Sequence, residues 1–242
     1  MEFFKTIWND FYACFIKYDS YNLYLKGLRN TLIIAIGACV LGLLIGIIVT
    51  CIRVAPKNNV VVKACDWIAR LYVTVIRGTP VVLQLFICYF VLLTSLRSEK
   101  VFNLSDTAGI YVAIITFGVN SGAYMAEILR GGINAVDYGQ MEAGRSLGMS
   151  WIRTFFLVVL PQALKSAIPT MFNEFITLVK ETSVAGYVGI TDLTKIQSFI
   201  TTYSMKLYMP LFIIAAIYLV VVLLLQQLQR LIDRRLKKSD RN

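Results

Sequence analysis

The chain has 242 residues, of which 57% are hydrophobic, with a mean hydropathy of +0.68, a formal net charge of +10 and no histidine. That balance excludes an ordinary soluble domain and points to an integral membrane protein, where a basic excess marks the cytoplasmic side and not a nucleic-acid surface. There is no Gly-x-x-x-x-Gly-Lys-Ser/Thr phosphate loop, and Cys14, Cys39, Cys51, Cys65 and Cys88 have no metal-ligand spacing. Neither nucleotide hydrolysis nor metal catalysis is visible, so no enzyme, catalytic residue, metal or resident cofactor is expected.

Residues 1–29 mix Phe3, Phe4, Trp8, Phe11 and Tyr12 with scattered charges, the composition of an amphipathic helix at an interface. No compact apolar core with a small-residue cleavage site follows a basic start, so the segment reads as retained. Thr31 to Ile52 gives 22 residues without a charge, enough for a first spanning helix. Within it Ala38, Gly42 and Gly46 recur every four residues, a stripe that lets another helix approach closely. Residues 53–77 carry Arg53, Lys57, Lys63, Arg70 and Arg77 against Asp66 alone, the signature of a cytoplasmic segment. A second span follows from Gly78 to Leu96, or a longer helix from near Val60 is broken at Gly78, Thr79 and Pro80, where proline removes a backbone donor. Arg77 reads either as an anchor that snorkels to the interface or as part of a transport pathway.

The third span, Thr107 to Ala126, repeats the small-residue stripe at Gly118, Gly122 and Ala126. It runs into polar turns with Asn120, Ser121, Tyr124, Glu127 and Arg130, and Glu127 has Arg130 three residues on as a local partner. Next comes Asp137 to Pro161, DYGQMEAGRSLGMSWIRTFFLVVLP, a polar, glycine-punctuated segment between two apolar runs. Asp137 followed three residues later by Gln140 has the form of a capping box and starts a helix. Met141, Gly144, Leu147 and Trp151 fall at helical spacing on one side, Glu142, Arg145 and Ser146 on another, and Gly148 stops the helix.

The fourth span, Thr154 to Val179, contains Pro161, Lys165, Pro169, Asn173 and Glu174. Charges near a bilayer centre are costly and face protein or a wet cavity, so this span lines the pathway unless Lys165 and Glu174 snorkel to opposite surfaces. The segment 180–206, with Glu181 and Asp192, is polar, and the fifth span runs from Leu207 to Gln229 before a basic tail. Basic residues number 14 in the expected cytoplasmic segments against 9 opposite, which puts the amino end outside and the carboxyl end inside.

Glu142, Ala143, Gly148, Val158, Leu160 and Pro161 resemble the cytoplasmic signature of ATP-binding-cassette importer permeases, which reads Glu-Ala-Ala, a spaced Gly, then a spaced Ile-x-Leu-Pro. Gly144 stands at the third position instead of Ala, and Val158 stands for Ile. The stretches IRGTPVVLQLFICYF, NSGAYMAEILRGGI and ETSVAGYVGITDLTK resemble the polar amino-acid permeases of that superfamily, of the histidine, glutamine and arginine type.

The resemblance implies an all-α integral membrane protein with five transmembrane helices and a short cytoplasmic coupling helix between the third and fourth. Its divisions are an amphipathic segment 1–29, a permease domain 30–229 with its coupling region at 137–161, and a tail 230–242, in a bacterial inner membrane. Implied partners are a cytoplasmic ATPase dimer that holds the ATP and Mg, a second permease chain, alike or different, an outer substrate-binding protein and membrane lipid, with no nucleic acid. Asp137, Glu142, Ala143, Gly144, Gly148, Leu160 and Pro161 are then expected to couple the chain to the ATPase. Asn120, Ser121, Glu127 and Glu174 are expected to line the pathway for a polar amino acid, with a basic one as the leading case. Composition alone leaves open an ion-gradient carrier, or a permease for another small polar solute.

Overall fold

Long apolar runs bounded by charge become helices, and a computed structural model of the chain, which describes residues 1–93 and 106–238, contains no strand among those residues. Helix α1 spans Glu2–Phe11 and is followed by a wide turn, and α2 spans Ser20–Val54. Helices α3 (Val60–Gly78) and α4 (Val81–Phe86) come next, α4 widening into a π-type turn over Ile87–Leu93. Helix α5 is Asp106–Asn134, α6 is Tyr138–Ser146, and α7 is Trp151–Thr154, which continues through a π-type turn at Phe155–Val159 into α8, Leu160–Glu181. Helices α9 (Leu193–Ser204) and α10 (Tyr208–Lys238) complete the described chain.

Four stretches, Ser20–Val54, Ala108–Asn134, Trp151–Val188 and Tyr208–Leu236, are long and apolar enough to cross a membrane. A fifth crossing exists if the pair Val60–Gly78 and Val81–Val91, bent by 104°, counts as one broken span. The bend is the break expected at Gly78, Thr79 and Pro80. Thr79, the residue before proline, is extended at φ −120° and ψ 144°, as the clash with the proline ring requires. The second-span residues beyond Leu93 lie outside the described residues. Helix α2 begins well before Thr31 because Lys26 and Arg29 lie on its exposed side, while Tyr24, Gly27 and Thr31 face inward at helical spacing. The charges interrupt the apolar run without interrupting the helix.

Two compact units are formed, and α2, α5, α8 and α10 each contribute residues to both. In the first, which comprises Met1–Ala38, Pro80–Phe117 and Thr177–Gln226, the core is Cys14, Tyr24, Leu193, Ile196, Ile200, Ile213 and Ile214. Gly27 lets the start of α9 rest on α2, since a Cβ there would lie 2.8 Å from Ile196 Cγ1. Asn30 Nδ2 donates to the Thr191 carbonyl at 2.7 Å, and the Leu193 N–H donates to Thr31 Oγ1 at 3.3 Å. The second unit comprises Cys39–Thr79, Gly118–Ile176 and Gln227–Asn242. Here the two small-residue stripes prove to be one interface. Cβ atoms at Gly42 and Gly46 would meet Ser121 Cβ at 2.9 Å and Met125 Cβ at 2.6 Å, and those at Gly118 and Gly122 would meet Leu41 and Ile45. Glycine on both sides lets α2 and α5 approach at backbone distance.

Asp192 caps α9. One carboxylate oxygen accepts the Lys195 N–H at 2.7 Å, and the other is buried with no hydrogen-bond partner among the described residues. Burial pushes this carboxyl up from an ordinary 3.8 to about 6, against the opposing pull of the Lys195 and Thr194 amides. The folded chain therefore holds the proton more tightly than the unfolded chain. Its contribution to stability is complete below about pH 4 and is lost as the pH rises through about 6, a difference of about 3 kcal/mol. Asp192→Asn keeps a capping acceptor without the ionisation. The thermal midpoint of the wild-type chain in detergent is expected to fall between about pH 4 and about pH 7, and that of the Asp192→Asn protein to stay level. Parallel curves would show that the carboxyl pays no burial cost.

Candidate functional site

Helix α6 is set by its two ends. At the start, Asp137 accepts the Gly139 N–H at 2.6 Å and caps the helix as expected. The reciprocal half of the capping box is absent, because the Gln140 side chain turns to α8 and accepts from Gln162 Nε2 at 3.4 Å. At the finish, Gly148 has φ +81°, its N–H donates to the Arg145 carbonyl at 3.0 Å, and the Met149 N–H donates to the Gly144 carbonyl at 3.2 Å. That pair of bonds closes a helix around a left-handed glycine, so the stop read from Gly148 is a backbone requirement.

The faces of α6 differ from the sequence reading in one respect. Gly144 is buried against α7, where a Cβ would lie 2.4 Å from Thr154 Cγ2, but Leu147 is 83% exposed and not on that inner face. The helix has ended at Ser146, so the helical period does not carry Leu147 inward. Ala143, Glu142 and Arg145 are exposed beside Tyr138. A groove of about 810 Å³ with mixed polar and apolar walls lies along α6, lined by Asp137, Met141, Glu142 and Arg145 together with Val54 and Ile133 from the ends of α2 and α5. Leu160 borders a separate apolar cavity of about 510 Å³ with Trp151, Phe155, Ile47 and Leu129. Pro161 lacks an N–H near the start of α8, and the π-type turn just before it absorbs the missing bond. The signature residues thus divide into an exposed face on α6, a packing position at Leu160 and an exposed Pro161 at the start of α8.

The two acids expected in the pathway have different surroundings. Glu127, on α5, is held from two sides: Arg53, at the end of α2, donates to Oε1, while Arg130 donates to Oε2 at 3.2 Å from Nε and 2.7 Å from Nη2. Arg130 is the local partner visible in sequence, and Arg53, 74 positions away, is not. Thr50 reinforces the same junction by donating to the Ala126 carbonyl at 3.1 Å. Glu174, on α8, is half-buried and accepts from Ser121 Oγ at 3.2 Å. Ser121 and its neighbour Asn120 are buried. A hydrogen bond to a charged acceptor contributes about 1.5–3 kcal/mol, enough to fix the carboxylate toward α5.

Arg77, left open between two roles by the sequence, sits with its guanidinium carbon 5.1 Å from the centre of the Tyr124 ring, one helical turn from Asn120. Tyr72, also on α3, donates to the Val119 carbonyl at 2.6 Å. Lys165 lines a pocket with Asp137 and Asp233, at the α6 end of the unit.

Membrane-length helices, with an exposed capped helix between two of them and polar side chains on α5 and α8, define a multi-pass membrane protein. Residues 42–238 match the family described as binding-protein-dependent transport system inner membrane component, and the chain belongs to that family. It is 36% identical over 219 residues, 89% of this chain and 93% of the relative, to the arginine transport system permease protein ArtQ of Bacillus subtilis. A putative glutamine transport system permease protein GlnP of Rickettsia bellii is 32% identical over 91% of this chain and 96% of its own length. A crystal structure of an amino acid ABC transporter with histidines aligns with a TM-score of 0.79 and 35% identity, over 89% of this chain and 94% of that one. The chain is the permease subunit of an amino-acid ABC importer of the inner membrane, a transport subunit and not an enzyme, and it works with a separate ATPase and a substrate-binding protein.

Proposed function

We propose that the chain imports polar amino acids, with a basic one as its leading substrate, and that Asn120, Ser121 and Glu174 contact it. The observation that carries this reading is the polar cluster on α5 and α8, where Ser121 Oγ donates to Glu174 at 3.2 Å beside buried Asn120, while Arg53 and Arg130 hold Glu127. Glu127 is then a brace beside the pathway, and a cationic side chain that enters the cluster of Asn120, Ser121 and Glu174 meets a carboxylate in a low-dielectric setting. Arg77, over Tyr124, is placed to offer the opposite charge to a substrate carboxylate. The names of the Bacillus subtilis and Rickettsia bellii relatives, an arginine and a glutamine permease, agree with a polar substrate. Competition uptake tests the preference: arginine and lysine are expected to displace a labelled basic amino acid at lower concentration than glutamine or leucine does. Equal competition by neutral amino acids would remove the basic preference.

In the same reading α6 couples the chain to a cytoplasmic ATPase pair that binds ATP and Mg, with two permease chains per transporter. Glu142, Ala143 and Arg145 meet the ATPase, Asp137 and Gly148 fix the helix ends, Gly144 fixes α6 on α7, and Leu160 and Pro161 transmit its displacement to α8. The bent pair α3 and α4 completes five spans, with the amino end outside and the carboxyl end in the cytoplasm. In a chain otherwise free of cysteine, Asn58→Cys is then labelled by an impermeant thiol reagent only from inside, and Thr202→Cys only from outside. The reverse pattern overturns the orientation.

A further inference from the structure

We propose that α1 is a membrane-surface helix whose apolar face lies in the headgroup–acyl boundary of the bilayer, at the level where α2 and α10 begin, so that it binds lipid and not protein. The inference rests on the spans and not on the substrate reading. At about 100° per residue, Phe3, Phe4, Ile7, Trp8 and Phe11 fall in one arc of α1 and Glu2, Lys5, Thr6, Asn9 and Asp10 in the other. Phe3, Phe4, Ile7 and Trp8 are 71%, 75%, 41% and 60% exposed, and no α1 residue is buried, so the described residues of the chain do not cover this face.

What covers it follows from where α1 is fastened. Asp10 Oδ1 pairs with Lys206 Nζ at 2.8 Å, Cys14 Sγ donates to Ser204 Oγ at 3.7 Å, and the Ser20 and Tyr203 hydroxyls are hydrogen-bonded to each other. Phe11 turns inward and stacks on Phe15, which stacks on Tyr24, with ring centres 5.2 and 5.7 Å apart. These ties hold α1 beside the first turn of α2, at Ser20, and the turn that leads into α10, at Tyr208. Both are membrane-length helices, and their outward residues there, Leu23, Leu25, Leu207, Leu211 and Phe212, are exposed and apolar. The aromatic face of α1 continues the surface that the bilayer already covers. Aromatic rings favour that boundary, and an arc with one lysine against two acids gives no attraction to anionic headgroups, so neutral lipid suffices.

The test uses the whole transporter in phosphatidylcholine vesicles, with the native cysteines replaced and a spin label at Phe4→Cys, Trp8→Cys, Lys5→Cys or Asn9→Cys. Labels at positions 4 and 8 are expected to collide with dissolved oxygen several-fold more than with a water-soluble nickel chelate, and labels at 5 and 9 to show the opposite. Should a labelled chain fail to assemble, fluorescence of Trp8 in a Trp67→Phe/Trp151→Phe chain reads the same contact through quenching by lipid brominated on its acyl chains. Equal access of the chelate to all four positions, or no quenching of Trp8, overturns the proposal. Shielding of positions 4 and 8 from both reagents also overturns it, because it marks a protein partner: a second copy if it persists in the transporter alone, the binding protein if it appears only on its addition.

Discussion

Glu142→Lys is expected to lower ATP-driven uptake by about tenfold or more, equivalent to about 1.4 kcal/mol or more of lost contact, while the chain remains in the membrane. Glu142 is exposed on α6 and lines the groove at its edge, so its charge is accessible from outside the chain. If α6 docks on the ATPase as proposed, reversing that charge sets like charges against each other, and like-charge contacts across an interface cost several kcal/mol. A structural companion lies on the opposite face. Gly144→Ala places a Cβ 2.4 Å from Thr154 Cγ2 and must push α6 away from α7. Adding Thr154→Ala removes the obstructing methyl, so the double variant is expected to recover most of the uptake that Gly144→Ala loses. Gly148→Val strains a backbone at φ +81° by about 1–2 kcal/mol and acts in the same direction. Unchanged uptake and unchanged ATPase co-purification in the Glu142→Lys chain would remove α6 from the coupling path.

Glu174→Gln is expected to weaken competition by basic amino acids about tenfold relative to neutral ones, because it removes the charge and leaves an acceptor for Ser121. Glu127→Gln is expected to behave differently. It leaves Arg53 and Arg130 facing a neutral amide in a half-buried site, so the thermal midpoint falls by the equivalent of about 1–3 kcal/mol with the basic-to-neutral ratio unchanged. Competition uptake and a thermal shift on each variant separate the roles. A ratio that moves with Glu127 and not with Glu174 would exchange the two assignments.

The difference between those acids also shows where sequence reasoning ends. Local terms were legible: charge-free runs located the long helices, Pro80 located the break after Thr79, and Asp137 and Gly148 bounded α6. Each depends on residues a few positions apart. One of the two cations that hold Glu127 lies 74 positions away, and the methyl that explains glycine at position 144 belongs to a residue on the next helix. Gln140 follows the same pattern, since its capping geometry is available locally but Gln162 on α8 competes for the side chain. The small-residue stripes were legible as close-packing surfaces, yet only the fold showed that they pack on each other. A periodicity argument names a face without naming what it meets.

The most direct measurement is uptake of labelled arginine into liposomes that contain this chain with its ATPase, with binding protein outside and Mg-ATP trapped inside. The account predicts accumulation that requires both ATP and binding protein and survives collapse of sodium and proton gradients. Accumulation that proceeds without ATP and stops when an ionophore collapses those gradients would contradict it.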